Sequence, residues 1–262
     1  MTRHEKFATP TISEKEFVLA TDLDGTFLGG SDEDRARFYK WIETNRDRIG
    51  LIFVTGRDPG HVSHLTRKEG VPRPDYVVGD VGTTIAKMGA DHLLSPIDTL
   101  EQLIADSWDN ATAMVQATLH RFPGLRLQSS GFRYRMSYDL DPATFDPEAV
   151  TAIESLGLDV LVSDNQYFDV LPKGVSKGPS LLRLLDHLDI AHGRTLVAGD
   201  TLNDLSMLQT GLPAVAVGGS EQALIDQLDA TDTVYQANGI GVAGIAEAII
   251  HHRLFGQNRK AA

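Results

Sequence analysis

Five short apolar runs, each ended by a polar residue or a glycine, mark the outer parts of the chain. They cover residues 17–21, 51–54, 76–78, 195–198 and 214–217. Continuous apolar runs of this length are typical of strands that are buried on both faces of a parallel sheet. Amphipathic stretches lie between the runs, and they predict helices over residues 32–45, 61–69, 178–188 and 203–209. The alternation of strand and helix predicts an α/β fold with a doubly wound, Rossmann-like parallel sheet.

The middle of the chain has a different pattern. It predicts one long helix, a strand pair, a helix and a second strand pair, over residues 100–121, 125–128, 132–138, 147–156, 159–163 and 167–171. Helices and antiparallel strands inserted into a parallel frame indicate a second, smaller domain. We therefore expect a core of residues 1–84 and 172–262 and an inserted α+β cap domain of residues 85–171. Residues 1–15 are polar and are expected to form a loose leader.

Composition excludes several classes of function. The chain has 24 Lys+Arg against 36 Asp+Glu, a net charge of −12, which argues against a nucleic-acid partner because phosphate backbones attract basic surfaces. It has no cysteine, which excludes disulfides, Cys-ligated metal centres and a Cys nucleophile. No stretch reaches the ~18 apolar residues of a membrane span, so no membrane partner is expected. We expect a cytoplasmic protein, whose oligomeric state the sequence leaves open.

Polar side chains cluster where the predicted strands end. They are Asp22 and Asp24 after the first run, Thr55 and Gly56 after the second, and Asp200, Asn203 and Asp204 after the fourth. In an open parallel sheet these positions converge on one crevice. Carboxylates gathered there repel one another unless a cation lies among them. Because all the available ligands are oxygens, a hard ion such as Mg²⁺ is favoured.

The same crevice gains groups that suit an anion. Thr55 and Gly56 offer a hydroxyl and a backbone N–H, and Lys177, directly before a predicted helix, offers a positive charge. Lys173 is the alternative lysine. Carboxylates, a divalent metal, a hydroxyl and a lysine together suit phosphoryl transfer, in which a carboxylate can act as covalent nucleophile and form an aspartyl phosphate.

Four stretches resemble the motifs of phosphatases of the haloacid-dehalogenase (HAD) superfamily. They are Asp22-Leu23-Asp24-Gly25-Thr26, Val54-Thr55-Gly56-Arg57, Lys177, and Gly199-Asp200-Thr201-Leu202-Asn203-Asp204. Each closes a predicted strand or opens a predicted helix, and the ordered set is specific although any single motif is weak. The insertion between the second and third motifs is similar to the cap of the Cof-like branch. The resemblance implies a HAD-like fold and a Mg²⁺-dependent phosphatase.

Within that branch the chain is similar to sucrose-phosphate phosphatases. The similarity rests on residues 136–142, 168–172 and 176–178. It implies a small-molecule substrate, a phosphorylated sugar or glycoside. The cap departs from the family pattern, because residues 128–131 lack its glutamate and Arg135 takes the place of its lysine. Sucrose phosphate, mannosylfructose phosphate and glucosylglycerol phosphate therefore all stay open as substrates.

The resemblance implies a role for each candidate residue. Asp22 would be the nucleophile, and Asp24 the general acid/base that protonates the leaving oxygen and then activates water. The implied magnesium ligands are Asp22, the backbone carbonyl of Asp24, Asp200 and Asp204. The implied ligands of the phosphoryl oxygens are Thr55, Gly56, Lys177 and Asn203. In the cap, Arg135 is the leading candidate for a sugar contact, since its forked donors suit hydroxyls or a phosphate edge.

Two other functions stay possible: a phosphomutase of the same superfamily, or a non-catalytic protein that binds sugar phosphates. Two further patterns carry less weight. Residues 239–244 match G-x-G-x-x-G, but no βαβ unit follows, so we interpret them as a loop before the last helix. His61 and His64 have a metal-ligand spacing without a third ligand, and we interpret them as surface residues.

Overall fold

The computed structural model describes residues 10–68, 70–129, 131, 133–163, 165–228 and 233–256. Its strands form one sheet of eight strands and one of four. In chain order the strands are β1 (Phe17–Thr21), β2 (Ile49–Val54), β3 (Tyr76–Gly79), β4 (Thr84–Met88), β5 (Leu94–Pro96), β6 (Leu125–Leu127), β7 (Met136–Leu140), β8 (Leu158–Ser163), β9 (Tyr167–Pro172), β10 (Thr195–Gly199), β11 (Ala214–Gly218) and β12 (Val234–Ile240).

The large sheet has the order β12-β11-β10-β1-β2-β3-β4-β5. It is parallel from β12 to β3, and β4 and β5 extend it in antiparallel fashion. At its centre, β1 pairs with β10 in the register Val18↔Thr195 and with β2 in the register Phe17↔Ile49. Every residue of β1, β2 and β10 is buried, as continuous apolar runs predict. The doubly wound α/β fold is confirmed.

In chain order the helices are α1 (Asp32–Thr44), α2 (Pro59–Leu65), α3 (Asp98–Trp108), α4 (Thr112–Leu119), α5 (Glu148–Glu154), α6 (Lys177–His187), α7 (Leu205–Leu208), α8 (Gln222–Ile225) and α9 (Val242–His251). Helices other than α4 and α5 cover both faces of the large sheet. Alternate residues of β1 point to opposite faces. Leu19 packs in a core that contains Ile245 of α9, whereas Val18 packs in a second core that contains Leu184 of α6. The polar ends of the strands are thus held between two apolar layers.

The small sheet is antiparallel, with the order β6-β7-β9-β8, and helices α4 and α5 pack against it. It has its own apolar core, in which Val115 of α4 and Ile153 of α5 meet Phe168 of β9. A separate core is what an inserted domain requires, since each domain must bury its own apolar surface. We refer to this unit as the cap.

The structure corrects the expected start of the cap. Residues 85–96 were expected in the cap, but β4 and β5 pair with the large sheet, so this stretch belongs to the core sheet. The long helix expected over residues 100–121 is two helices, α3 and α4. Asp109 and Asn110 between them have φ values of 44° and 54°, a left-handed conformation that ends a helix.

Smaller differences concern element ends. The strand expected to begin at residue 132 begins at Met136, and Phe132 itself lies outside the described residues. The expected leader contains a short 3₁₀ helix, Ile12–Glu14, whose Ile12 side chain is buried, whereas residues 1–9 are outside the described part. Within the described part of the chain, no helix has the length and apolar character needed to cross a membrane.

Candidate active site

The carboxyl ends of β1, β2 and β10 meet at one edge of the large sheet because these strands are parallel neighbours. A cavity of about 420 Å³ opens there, between the core and the cap. It is lined by Asp22, Asp24, Thr55, Gly56, Arg57, Val81, Thr201 and Asn203 from the core and by Gln128, Arg135, Ser137, Ser163, Tyr167 and Asp169 from the cap. The structure therefore brings candidate residues from three of the four motifs to one cavity wall.

A cluster of three carboxylates, which we call the carboxylate group, lies at this edge of the sheet, and one of them, Asp22, lines the cavity. Asp22, Asp200 and Asp204 each offer one oxygen, and these oxygens lie within 4.8 Å of one another. Burial raises the pKa of Asp22 to about 8 against the opposing effect of Lys177, and burial likewise raises the pKa of Asp200 to about 6. A cation would favour the ionised carboxylates, and an all-oxygen set of this spacing fits Mg²⁺. The side chain of Asp24 is outside this group.

Two glycines of the motifs make this close approach possible. A Cβ atom on Gly25, whose φ is +76°, would lie 2.1 Å from Oδ2 of Asp200. A Cβ atom on Gly199 would lie 2.5 Å from Cβ of Asp204. Only glycine fits at either position, so the sequence of each motif sets the spacing of the carboxylates.

Lys177 is completely buried at the start of α6, and its side chain contacts residues of the first and fourth motifs. Its Nζ atom donates to Oδ1 of Asp22 at 2.7 Å and to Oδ1 of Asp204 at 2.6 Å. It also donates to Oδ1 of Asn203 at 2.5 Å. Burial alone would lower the pKa of Lys177, but Asp204 and Asp22 outweigh burial and raise it, so the lysine is charged. Lys173, the alternative, is exposed and pairs with Asp159.

Asp24 forms a bidentate ion pair with Arg57. The guanidinium donates through Nε to Oδ2 at 2.6 Å and through Nη2 to Oδ1 at 2.8 Å. These bonds from Arg57 lower the pKa of the Asp24 carboxyl. This arginine belongs to the second motif, but nothing in the sequence indicates that it reaches Asp24.

The glycine-rich stretch of residues 239–244 supports the first motif loop. Gly239 and Ile240 end β12, a strand that the sequence analysis did not predict, and Gly241 precedes α9. A Cβ atom on Gly241 would lie 2.2 Å from the carbonyl carbon of Gly29. The glycine therefore permits close backbone packing beneath the loop that carries Asp24, and no nucleotide fingerprint is needed to explain it. Of the two histidines noted above, His61 is half-buried and His64 exposed.

The cap side of the cavity is polar and ordered by one network. Arg135 donates through Nη1 to Oδ1 of Asp169 at 3.0 Å and to Oγ of Ser137, and Ser137 donates to the same carboxylate. The Nη2 atom of Arg135 donates to Oδ1 of Asp80, in the core, at 3.3 Å. Arg135 lines the cavity as expected, but its donors engage protein carboxylates. The sequence analysis gave Asp169 and Asp80 no role, because no local pattern indicates that Arg135 contacts both carboxylates.

Comparison with known proteins decides the family. The family model described as sucrose-6F-phosphate phosphohydrolase matches residues 15–253. The chain belongs to this family. Two HAD-like hydrolases, at 16% identity and TM-scores of 0.65 and 0.63, share the fold.

Individual relatives differ in length and name. A glucosylglycerol-phosphate synthase from Pseudomonas anguilliseptica is 39% identical over 94% of this chain, which spans only 32% of that protein. A mannosylfructose-phosphate phosphatase from Agrobacterium fabrum is 26% identical over 89% of this chain and 96% of its own length. The solved sucrose-phosphatase from Synechocystis, in complex with sucrose and phosphate, has a TM-score of 0.82 at 25% identity, covering 92% of this chain and 100% of that chain. The chain is therefore related to proteins named as sugar-phosphate phosphatases and to part of a longer protein named as a synthase.

Proposed function

We propose that this member of the sucrose-6F-phosphate phosphohydrolase family is a magnesium-dependent phosphatase that acts on a phosphorylated glycoside through an aspartyl phosphate. The observation that carries the proposal is the buried contact between Lys177 and Asp22 beside Asp200, where Asp22 lines a cavity whose cap side is polar. The lysine keeps the nucleophile's oxygen in place and offsets the charge of an incoming phosphoryl group.

The reaction follows from the positions of two carboxylates. An oxygen of Asp22 would form the bond to phosphorus as the bond from phosphorus to the sugar oxygen breaks. Asp24, protonated once its ion pair with Arg57 opens, would give that proton to the leaving oxygen and later take a proton from the water that hydrolyses the aspartyl phosphate. Magnesium held by Asp22, the Asp24 carbonyl, Asp200 and Asp204 would supply positive charge for the phosphoryl oxygens. Thr55, Gly56, Lys177 and Asn203 would bind those oxygens.

The substrate class is proposed from the cap wall and from the relatives. The wall offers hydroxyl, amide and carboxylate groups, which suit the hydroxyls of a sugar or polyol. Sucrose, mannosylfructose and glucosylglycerol occur in the names of the relatives, and each is a glycoside. A phosphomonoester of a glycoside is therefore the proposed substrate, with glucosylglycerol phosphate placed first because that relative is the most similar of the three.

A phosphate-release screen tests the proposal. Glucosylglycerol phosphate, sucrose 6F-phosphate and mannosylfructose phosphate are compared with glucose 6-phosphate, each with Mg²⁺ and with excess chelator. We expect the wild type to release phosphate from at least one glycoside phosphate, and only when metal is present. We expect the Asp22→Asn variant to release none. Isomer formation without release would identify a phosphomutase. Binding without turnover would identify a non-catalytic protein, and either result would reject the proposal.

A further inference from the structure

The turn between β3 and β4 has an unusual backbone. Asp80, Val81 and Gly82 have φ values of 51°, 58° and 101°. A β-branched residue such as Val81 strongly disfavours positive φ, so this conformation persists only where the surroundings impose it. Strained segments of this kind cluster at functional sites, and this one borders the cavity through Val81.

One side of the turn holds the loop that carries Thr55. The backbone N–H of Val81 donates to the carbonyl of Thr55 at 3.2 Å, and that of Asp80 donates to the carbonyl of Arg57 at 3.0 Å. These two bonds span Gly56, so they fix the loop from which a hydroxyl and an N–H would reach a phosphoryl group. The left-handed conformation directs both turn N–H groups toward the loop.

The other side of the turn holds the beginning of α6. The hydroxyl of Ser180 donates to the carbonyl of Gly82 at 2.7 Å. A Cβ atom on Gly82 would lie 2.4 Å from the carbonyl carbon of Ser176 and 2.9 Å from the backbone nitrogen of Lys177. The turn is therefore wedged between the two core segments that would bind phosphate.

The cap reaches the same turn through one residue. Arg135 donates to Oδ1 of Asp80, while Oδ2 of Asp80 accepts from the hydroxyl of Thr84 at 2.8 Å. The Arg135 side chain is 10% exposed and that of Asp80 is 18% exposed, so solvent screens their contact weakly. The guanidinium that orders Asp169 in the cap wall thus also contacts the turn that orders the phosphate loop.

We propose that Arg135 and Asp80 are positioning residues that couple the sugar-binding wall of the cap to the phosphate-binding loop of the core. The left-handed turn transmits the contact, because its N–H groups hold the Thr55 loop and its carbonyl and Gly82 hold the start of α6. A sugar bound against Asp169 and Arg135 therefore strengthens the binding of its phosphate group. When the contact between Arg135 and Asp80 is broken, inorganic phosphate binds more weakly.

The direction in which the affinity for phosphate changes in Asp80→Asn separates a positioning role from a simple electrostatic one. Asn tolerates the left-handed conformation as well as Asp does, so Asp80→Asn keeps the turn and removes the charge that Arg135 binds. Removing a negative charge near an anion site strengthens anion binding by Coulomb's law alone. Positioning requires the opposite. We expect the Ki of inorganic phosphate, measured as a competitive inhibitor of 4-nitrophenyl phosphate hydrolysis, to rise about fivefold or more.

A graded series at Arg135 provides the second measurement. Arg135→Met should lower kcat/KM for 4-nitrophenyl phosphate, which has no sugar, and Arg135→Lys should restore part of the loss. The matched control is Asp159→Asn, since Asp159, in the cap, also pairs with a cationic side chain, that of Lys173, but does not line this cavity. We expect its Ki for phosphate to stay within about twofold of the wild type.

The outcomes also separate this inference from the proposed function on which it rests. If wild-type protein neither binds phosphate nor releases it from any substrate, the proposed function fails. If wild type is active and the Ki falls or stays constant in Asp80→Asn, the coupling is wrong. If Asp80→Asn does not fold, the Arg135 series decides. If only hydrolysis of the glycoside phosphate is lost, Arg135 is a sugar contact with no effect on the phosphate loop. If Arg135→Met and Arg135→Lys are equally destabilised and the Ki is unchanged, its role is structural. Both results overturn the inference.

Discussion

At the residue scale, the proposed nucleophile Asp22 and the lysine that contacts it, Lys177, form a buried pair. Asp22→Asn keeps the volume of the side chain but supplies a poor nucleophile, and Lys177 retains Asp204 as a partner. We expect kcat to fall by about a thousandfold or more while circular dichroism and thermal midpoint stay close to wild type. Wild-type phosphate release by the folded variant would contradict the covalent mechanism.

The Arg57–Asp24 pair makes a prediction about pH. Arg57 lowers the pKa of Asp24 by bonding to its charged form, so Arg57→Gln raises that pKa. The limb of the kcat/KM profile that reports Asp24 should therefore move to higher pH with a glycoside phosphate. It should move less with 4-nitrophenyl phosphate, whose leaving group needs no proton. Arg133→Gln is the control, because Arg133 is equally exposed and pairs with Glu101 instead. An unmoved limb would show that Asp24 is not the titrating group.

Motif residues could be predicted from the sequence because each lies directly after an apolar run or before a helix. Asp22, Thr55, Lys177 and Asp200 each meet that condition. Asp80 also follows an apolar run, but the importance of Asp80 and Asp169 comes from their contacts with Arg135, which the sequence does not show. Contacts between side chains far apart in sequence leave no local pattern, and Arg135 was therefore expected to bind sugar directly.

At the element scale, the packing of Gly241 against Gly29 links α9 to the first motif loop. Gly241→Ala places a Cβ atom 2.2 Å from the carbonyl carbon of Gly29 and strains a φ of +57°. We expect the free energy of unfolding to fall by about 2–4 kcal/mol, because overpacking and backbone strain act together, and we expect kcat to fall as well. Thermal denaturation and steady-state kinetics measure both effects.

The control for this substitution is Gly211→Ala. Gly211 has a φ of +81°, but a Cβ atom there meets nothing within 4 Å, so it reports backbone strain alone. We expect the free energy of unfolding of Gly211→Ala to fall by only about 1–2 kcal/mol and its kcat to stay unchanged. Equal effects of the two substitutions would show that contact with the motif loop is unimportant.

Elements buried on both faces were predicted more accurately than those at the edges. β1, β2 and β10 have continuous apolar sequences, and the structure has them where they were expected. β5 and β12 lie at the two edges of the large sheet, where polar residues are tolerated, and both were missed. The break between α3 and α4 was hidden because apolar positions continue at helical spacing through Trp108 and Val115.

At the scale of the whole molecule, the carboxylate group joins segments from both halves of the core, so the metal should bridge them. We expect chelator to abolish activity and Mg²⁺ to restore it. Ca²⁺ should not restore it, since it takes more oxygen ligands at longer distances and would displace Asp22 from its line of attack. Phosphate release assays after dialysis test this, and full activity in excess chelator would show that the carboxylate group has been misinterpreted.

The central position of β1 has a consequence for the way the chain is made. β1 gains β2 as a neighbour early, but its other neighbour, β10, follows only after the whole cap has been synthesised. Until then a nascent chain presents an apolar strand with one open edge, which favours intermolecular pairing. We expect a fragment that ends before residue 195 to aggregate when expressed alone, and co-expression of residues 172–262 to return it to the soluble fraction. Biosynthesis would thus be the stage at which this architecture is most vulnerable, and the order of translation, rather than the stability of the finished sheet, would limit its yield.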